Sequence, residues 1–386
     1  MSPRTLIGWR TLVVVLVFVA LEGALAAFTG YGKWVTTEKD AELGWRPIPS
    51  QTGWSWDLSV AEHINSRGYR DDEWTPARED DGVFRIALLG NSMTYGSGVA
   101  IEDTWGRELE RLVQAEFDRS GIDLRVESMN FAVQGYVFEQ MARTYEREVR
   151  PFRPDLVLVG TVPFDASPFD GASGEQDVPY RRTIAKTASH DFLLKVVMLP
   201  LKGRLRLGWS KDAVAAEKAR VDTLIRERPY SSDAEYLWDA MRARMEDIEA
   251  QVEADGGRLV VVALPQFSNL VRESAKTHAE IWTPWAASRG ETAGVPNALA
   301  VDSRPAFEKA MPKLLAGMRK LGFKDARTFV EDSGYWIVTP SIAHQDENLF
   351  LDDDMGHYGE RGHRVLAQDV FDELKRSGWL EVLARD

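Results

Sequence analysis

Phe84-Arg-Ile-Ala-Leu-Leu-Gly-Asn-Ser-Met-Thr-Tyr-Gly96 is the stretch that decides the fold of this 386-residue chain. Phe84–Leu89 is short, apolar and closed by a glycine, which is how a buried strand reads. After the Gly-Asn-Ser turn the spacing changes. Across Asp103–Arg119 the residues Leu109, Leu112, Val113 and Phe117 fall on one side of a helix. The alternation continues outward from there: a strand over Leu124–Val133, a helix over Phe138–Val149 and a strand at Asp155–Gly160, apolar enough to be buried on both faces. A helix over Ala234–Ala254 and a strand over Gly257–Leu264 follow. The series closes with a helix over Phe307–Leu321, a weaker fifth strand at Tyr335–Thr339 and a helix over His363–Leu380. Strands alternating with helices predict a three-layer, doubly wound α/β sandwich around a mainly parallel sheet of about five strands. Residues 166–230 and 266–304 break the pattern and read as insertions.

In such sheets ligands bind beyond the C-terminal ends of the strands, and Ser92 stands there, just past the first strand. A serine hydroxyl is a weak nucleophile until a base takes its proton. Far along the chain, Asp354-Met-Gly-His357 supplies an acid and an imidazole at a spacing that puts both on one side of a helical turn. Ser92 as nucleophile, His357 as base and Asp354 as the group that orients it therefore form a candidate triad. The plain alternative for Ser92 is a helix N-cap. Asp352 and Asp353 are rival acids, and His363 reads as a structural contact after Gly362. His344 and Asp346 lack a convincing third ligand, so neither a metal nor a cofactor is expected.

Across roughly residues 84–375 these segments resemble the SGNH (GDSL) hydrolase superfamily, whose sheet is flavodoxin-like. Its first block resembles Gly90-Asn-Ser-Met-Thr-Tyr-Gly96, which implies that Ser92 is the nucleophile. Its second block resembles Asn130-Phe-Ala-Val-Gln-Gly-Tyr136, which implies that the Gly135 N–H joins that of Ser92 in an oxyanion hole. Its last, Asp-x-x-His, is matched by Asp354 and His357. Ile64-Asn-Ser-Arg-Gly-Tyr-Arg70 is similar to membrane-anchored bacterial members. Two positions depart from the pattern. Asn91 replaces the usual Asp. In Thr161-Val-Pro-Phe-Asp-Ala166, Phe164 stands where the family's Asn would give a side-chain donor to the oxyanion, and losing such a donor costs ~10²–10³ in rate.

A net charge of -13 argues against a nucleic-acid surface, and the absence of cysteine excludes disulfides, thiolate metal sites and a Cys nucleophile. At the N-terminus, Thr11–Leu21 is an unbroken apolar run behind Arg4 and Arg10, and it resumes at Ala24–Phe28. Two readings fit: a membrane anchor with the arginines held in the cytoplasm, or a signal peptide cleaved after Ala24-Leu-Ala26. Both place the rest of the chain outside the cytoplasm, periplasmic or extracellular. The expected organisation is an anchor or signal over 1–30, a lead-in over 31–80 and a hydrolase domain over 81–386. Trp45, Trp54, Trp56 and Trp74 are expected to pack the lead-in onto that domain. The expected function is ester hydrolysis, with acetyl esters of envelope or exported polysaccharide as the substrate class. An O-acyltransferase with the same triad and a catalytically weak glycan-binding protein are the alternatives.

Overall fold

The computed structural model describes residues 3–55, 59–74, 82–169, 187–193, 196, 229–271, 278–292, 294–320, 344–351 and 356–383. A long helix, α1 (Pro3–Phe28), precedes two antiparallel hairpins: β1 (Thr37–Asp40) with β2 (Gly44–Pro47), and β3 (Gln51–Trp54) with β4 (Ala61–Ile64). The central sheet contains β5 (Val83–Leu89), β6 (Arg125–Asn130), β7 (Leu156–Thr161), β8 (Arg258–Ala263) and β11 (Leu299–Asp302), in the order β11-β8-β7-β5-β6 and parallel throughout. β9 (Glu291–Thr292) and β10 (Val295–Pro296) form a small separate hairpin. Counted along the sheet, the order is 2-1-3-4-5, the flavodoxin-like one. The fold class read from the sequence is the one observed.

Strict alternation explains why both faces of the sheet are dry. Phe84, Ile86, Leu88, Leu156, Leu158, Val260 and Val262 point to one face. Their neighbours Ala87, Leu89, Val157, Val159, Leu259 and Val261 point to the other. The first face is covered by α3 (Trp105–Ser120), α6 (Phe267–Val271), α8 (Arg304–Ala310), α9 (Pro312–Lys320), α10 (Glu360–Arg376) and α11 (Trp379–Leu383). The second is covered by α4 (Phe138–Thr144), α5 (Ser232–Ala254) and α7 (Ala279–Ser288).

Three boundaries differ from the expectation. The fifth strand is Leu299–Asp302, paired with β8 inside the stretch read as an irregular insertion. Residues 335–339, where that strand was expected, lie outside the described residues, as does most of 166–230. The helix expected over Phe307–Leu321 is two helices with Met311 between them, because Pro312 lacks an N–H and disfavours helical backbone at the residue before it. The helix after Phe138 leaves regular geometry at Tyr145–Val149, a single π turn.

The strand order reverses around β5: the chain first goes out to β6 and then returns to β7 on the other side. The crevice at the C-terminal ends of these strands is where a doubly wound sheet holds a ligand. Ser92 is the first residue of the short helix α2 (Ser92–Tyr95) at that crevice.

Candidate active site

Local chemistry builds the Ser92 turn. Asn91 is the cap of α2, its Oδ1 accepting the Met93 N–H at 3.0 Å. The same side chain donates from Nδ2 to Asp165 Oδ1 at 2.9 Å, and Asp165 Oδ2 accepts the Val162 N–H at 2.7 Å. Asp165 is buried, and burial pushes its carboxyl up to about 7 against the opposing pull of those two donors. Asn91 is thus matched to its partner: it offers a neutral donor to a buried carboxyl where an Asp would offer a second one. Gly96 ends α2 in the left-handed region at φ 81°, its N–H donating to Ser92 O. Thr94 lies in a hollow between two strand ends. A methyl group on Gly90 would come within 2.2 Å of Thr94 Oγ1, and one on Gly160 within 2.4 Å.

His357 reaches this turn from the other end of the chain, with Nε2 at 2.7 Å from Ser92 Oγ. It sits on a loop pinned on both sides. Leu351 N–H donates to His357 O at 3.0 Å and Gly359 N–H to Leu349 O at 2.9 Å, while Phe350 and Tyr358 form a β-bridge. Tyr358 is buried against Phe350 and Phe307, and its hydroxyl donates to Pro265 O at 2.8 Å. Asp354, with Asp352 and Asp353, lies outside the described residues. His363 is buried one turn into α10, and its Nδ1 accepts the Trp105 N–H at 3.1 Å, the first of α3. Burial, helped by the nearby charges of Arg70 and His357, holds its ring well below the usual value, at about 3, so it stays a neutral acceptor. Through that bond it joins α10 to α3.

Beyond β6, residues 130–135 run alongside the Ser92 turn. Phe131 N–H donates to Leu88 O, Val133 N–H to Gly90 O, Asn130 Nδ2 to Thr94 O and Gln134 Nε2 to Ser97 Oγ. Gly135 has φ 79°, a conformation costly for other residues. Among the described residues, neither the Ser92 N–H nor the Gly135 N–H is spent on a protein acceptor. Phe164 lies in the turn Pro163–Ala166 after β7, half-buried against the apolar cluster of the first sheet face.

The lead-in holds the turn from behind, which the sequence reading did not foresee for its charged residues. Arg70 is 1% exposed. Its guanidinium donates to the carbonyls of Tyr95 and Gly96 at 3.0 Å and of Val99 at 2.5 Å, and it lies over the Tyr95 ring. Glu62, equally buried, is its ion-pair partner at 3.4 Å. Asp71 accepts the Asn130 N–H at 2.8 Å, Trp74 Nε1 at 3.0 Å and Arg107 Nη2 at 2.5 Å. Trp74 packs at a tilt against Phe131 and edge-on against Phe152. Trp45 donates from its indole to Gln134 O at 3.4 Å, beside Gly135, and its carbonyl accepts the Tyr136 hydroxyl. Trp54 instead packs against Gly30, just after α1, and Trp56 lies outside the described residues. The signal for Arg70 and Asp71 was their place in Ile64–Arg70 and just after it; that both are buried cannot be read from charge.

No family model matches the chain, and no curated protein does. Among solved structures it is similar to TesA, at 9% identity and a TM-score of 0.36 over 76% of this chain and 98% of that one. It is similar to the lipase Lip_vut3 from a goat rumen metagenome, at 12% identity and a TM-score of 0.35 over 77% of this chain and 98% of that one. It is also similar to the acetylxylan esterase Axe2 from Geobacillus stearothermophilus, at 13% identity and a TM-score of 0.39 over 75% of this chain and 94% of that one. At these values the likeness is one of fold alone, and the chemistry has to be argued from the side chains of this chain.

Proposed function

We propose that the chain is a serine ester hydrolase of SGNH type. The observation that carries the reading is the 2.7 Å approach of His357 Nε2 to Ser92 Oγ, made between residues 265 positions apart at the crevice of a doubly wound sheet. In the reaction Ser92 Oγ attacks the ester carbonyl carbon as its proton passes to Nε2. The carbonyl π pair moves onto the oxygen, and the N–H groups of Ser92 and Gly135 receive that oxyanion. The tetrahedral adduct collapses by expelling the alcohol, which takes the proton back from His357. Water then repeats the steps on the acyl-serine and releases the acid. Asp354 is the residue proposed to accept the Nδ1–H of His357 and fix the tautomer that leaves Nε2 free to accept.

The proposed location is outside the cytoplasm. Arg10–Phe28 of α1 is long and apolar enough to cross a membrane, and Arg4 and Arg10 on its N-terminal side favour a cytoplasmic N-terminus. With the catalytic domain there, the proposed substrates are acyl esters of envelope or exported polysaccharide. A fluorophosphonate probe tests the chemistry: it should modify Ser92, and Ser92→Ala should abolish both the modification and turnover of a short aryl ester. Modification of another serine, or equal turnover by the variant, would overturn the assignment.

A further inference from the structure

The feature that the hydrolase reading leaves unused is where α1 meets the rest of the chain. Glu22 is the one acid in a helix whose apolar side chains from Leu12 to Leu21 are all exposed or nearly so. Its two carboxylate oxygens accept the N–H groups of Ala188 at 2.7 Å and Ser189 at 2.8 Å, the first residues of the short helix Ala188–Phe192. Phe192 also packs edge-on against Tyr31, just after α1, at 5.3 Å. Past these contacts the segment turns apolar side chains outward: Phe192 is 37% exposed, Leu193 50% and Val196 46%.

Depth along α1 says what these side chains meet. Glu22 precedes Phe28 by six residues, about 9 Å along the helix axis. With α1 spanning the bilayer and Phe28 near its outer boundary, a group bonded to Glu22 lies within the outer leaflet. Aromatic rings mark the same boundary, with Tyr31 directly after the helix and the partly exposed Trp54 over Gly30. A carboxylate below the interface is costly unless its charge is met, and two backbone donors from Ala188 and Ser189 meet it. Resting on the reading of α1 as a membrane anchor, we propose that Phe192, Leu193 and Val196 make a second membrane contact. Phe192, Leu193 and Val196 enter the outer leaflet beside α1, and Glu22 sets their depth. The partner is the hydrocarbon of the lipid bilayer. Two contacts fix orientation as well as attachment, so the hydrolase domain would be held at one angle to the surface instead of swinging on a single helix.

The absence of cysteine makes the test direct, because any introduced thiol is unique. Full-length protein carrying Leu193→Cys, Val196→Cys, Leu16→Cys or Tyr236→Cys is labelled with a bimane fluorophore. Each is then reconstituted in phosphatidylcholine vesicles with and without brominated acyl chains. Leu16 lies in α1, and Tyr236, 72% exposed on α5, reports water. The expected result is clear quenching at 16, 193 and 196, with none at 236. Quenching at 16 with 193 and 196 behaving like 236 would overturn the second contact and leave the anchor standing. No quenching at 16 would remove the anchor reading, and this inference with it.

Discussion

Asn91 and Asp165 share a buried hydrogen bond of 2.9 Å, and that pairing predicts what Asn91→Asp would do. Burial already lifts Asp165 to about 7 from an ordinary 3.8, so the folded state holds a proton that the unfolded chain gives up. A group raised in this way stabilises fully below about 3.8, and its contribution is lost as pH rises through about 7. A second carboxyl facing it raises the proton affinity of the pair further. Asn91→Asp should therefore cost little stability at pH 5 and much more at pH 8, and adding Asp165→Asn, which leaves a single carboxyl in the buried pair, should bring the pH dependence back towards that of the unaltered protein. Urea melts of the single and double variants at both pH values check this; equal losses at pH 5 and 8 would exclude it. Phe164→Asn is the second prediction at this scale. If the oxyanion lacks a side-chain donor, the substitution should raise kcat more than it changes KM, because the charge develops in the transition state. Half-burial means it should cost less than the ~3–5 kcal/mol typical of emptying a full Phe site. Activity and melting temperature are read together, and a folded variant with unchanged kcat would show that the two backbone donors suffice. That Ser92 and His357 would meet was legible from a serine just past a strand end and a histidine in an Asp-x-x-His stretch, and the left-handed turn at Gly135 from its residue type. Arg70 was not legible, because an arginine in a polar stretch reads as surface until its three carbonyl acceptors are seen.

Strand ends and helix starts set the positions of those residues. Thr94 of α2 occupies the hollow left by Gly90 and Gly160, and its Oγ1 is buried there. Gly160→Ala should overpack this hollow and cost about 1–3 kcal/mol. Adding Thr94→Ala, which removes the atom lying at 2.4 Å, should restore most of it. Chemical denaturation of the three variants checks the compensation, and no recovery in the double variant would rule out Thr94 as the cause. His363 joins α10 to α3 and carries the opposite pH sign to Asp165. The unfolded ring binds a proton below about 6.5 that the folded ring refuses until about 3, so stability should fall as pH drops through that window. His363→Asn keeps an acceptor for the Trp105 N–H but cannot titrate, so its stability should fall less steeply over the same range. The buried strands β5, β7 and β8 were plain in the sequence because they are unbroken apolar runs. β11 was missed because only Leu299–Asp302 pairs, and Ala300 and Asp302 at alternate positions dilute its apolar signal. The break at Met311 could have been read from Pro312, which the helical periodicity on either side obscured.

At the scale of the whole molecule, the sheet and its lead-in share one polar and aromatic network. Asp71 alone joins Trp74 of the lead-in, Asn130 at the end of β6 and Arg107 of α3. A chain beginning at residue 82 should therefore be far less stable than one beginning at residue 31, although it keeps every strand of the central sheet. Thermal melts of the two purified proteins decide it, and equal melting temperatures would show the lead-in to be dispensable. Within the longer chain, Arg70→Met would leave Glu62 buried without its counter-charge and should cost about 3–5 kcal/mol.

The reach of His357 back to Ser92 also has a consequence in time. A ribosome delivers the chain from its N-terminus, so Arg70 is in place before the turn it braces, and that turn can form early against β5 and β6. The imidazole is made 265 residues after the serine, and the helix that locks its loop comes later still. On the proposed roles, the growing chain thus carries its serine without a base throughout synthesis. It would acquire its chemistry only when nearly all of the chain has emerged, so a product truncated before His357 should be inert by construction and not merely damaged.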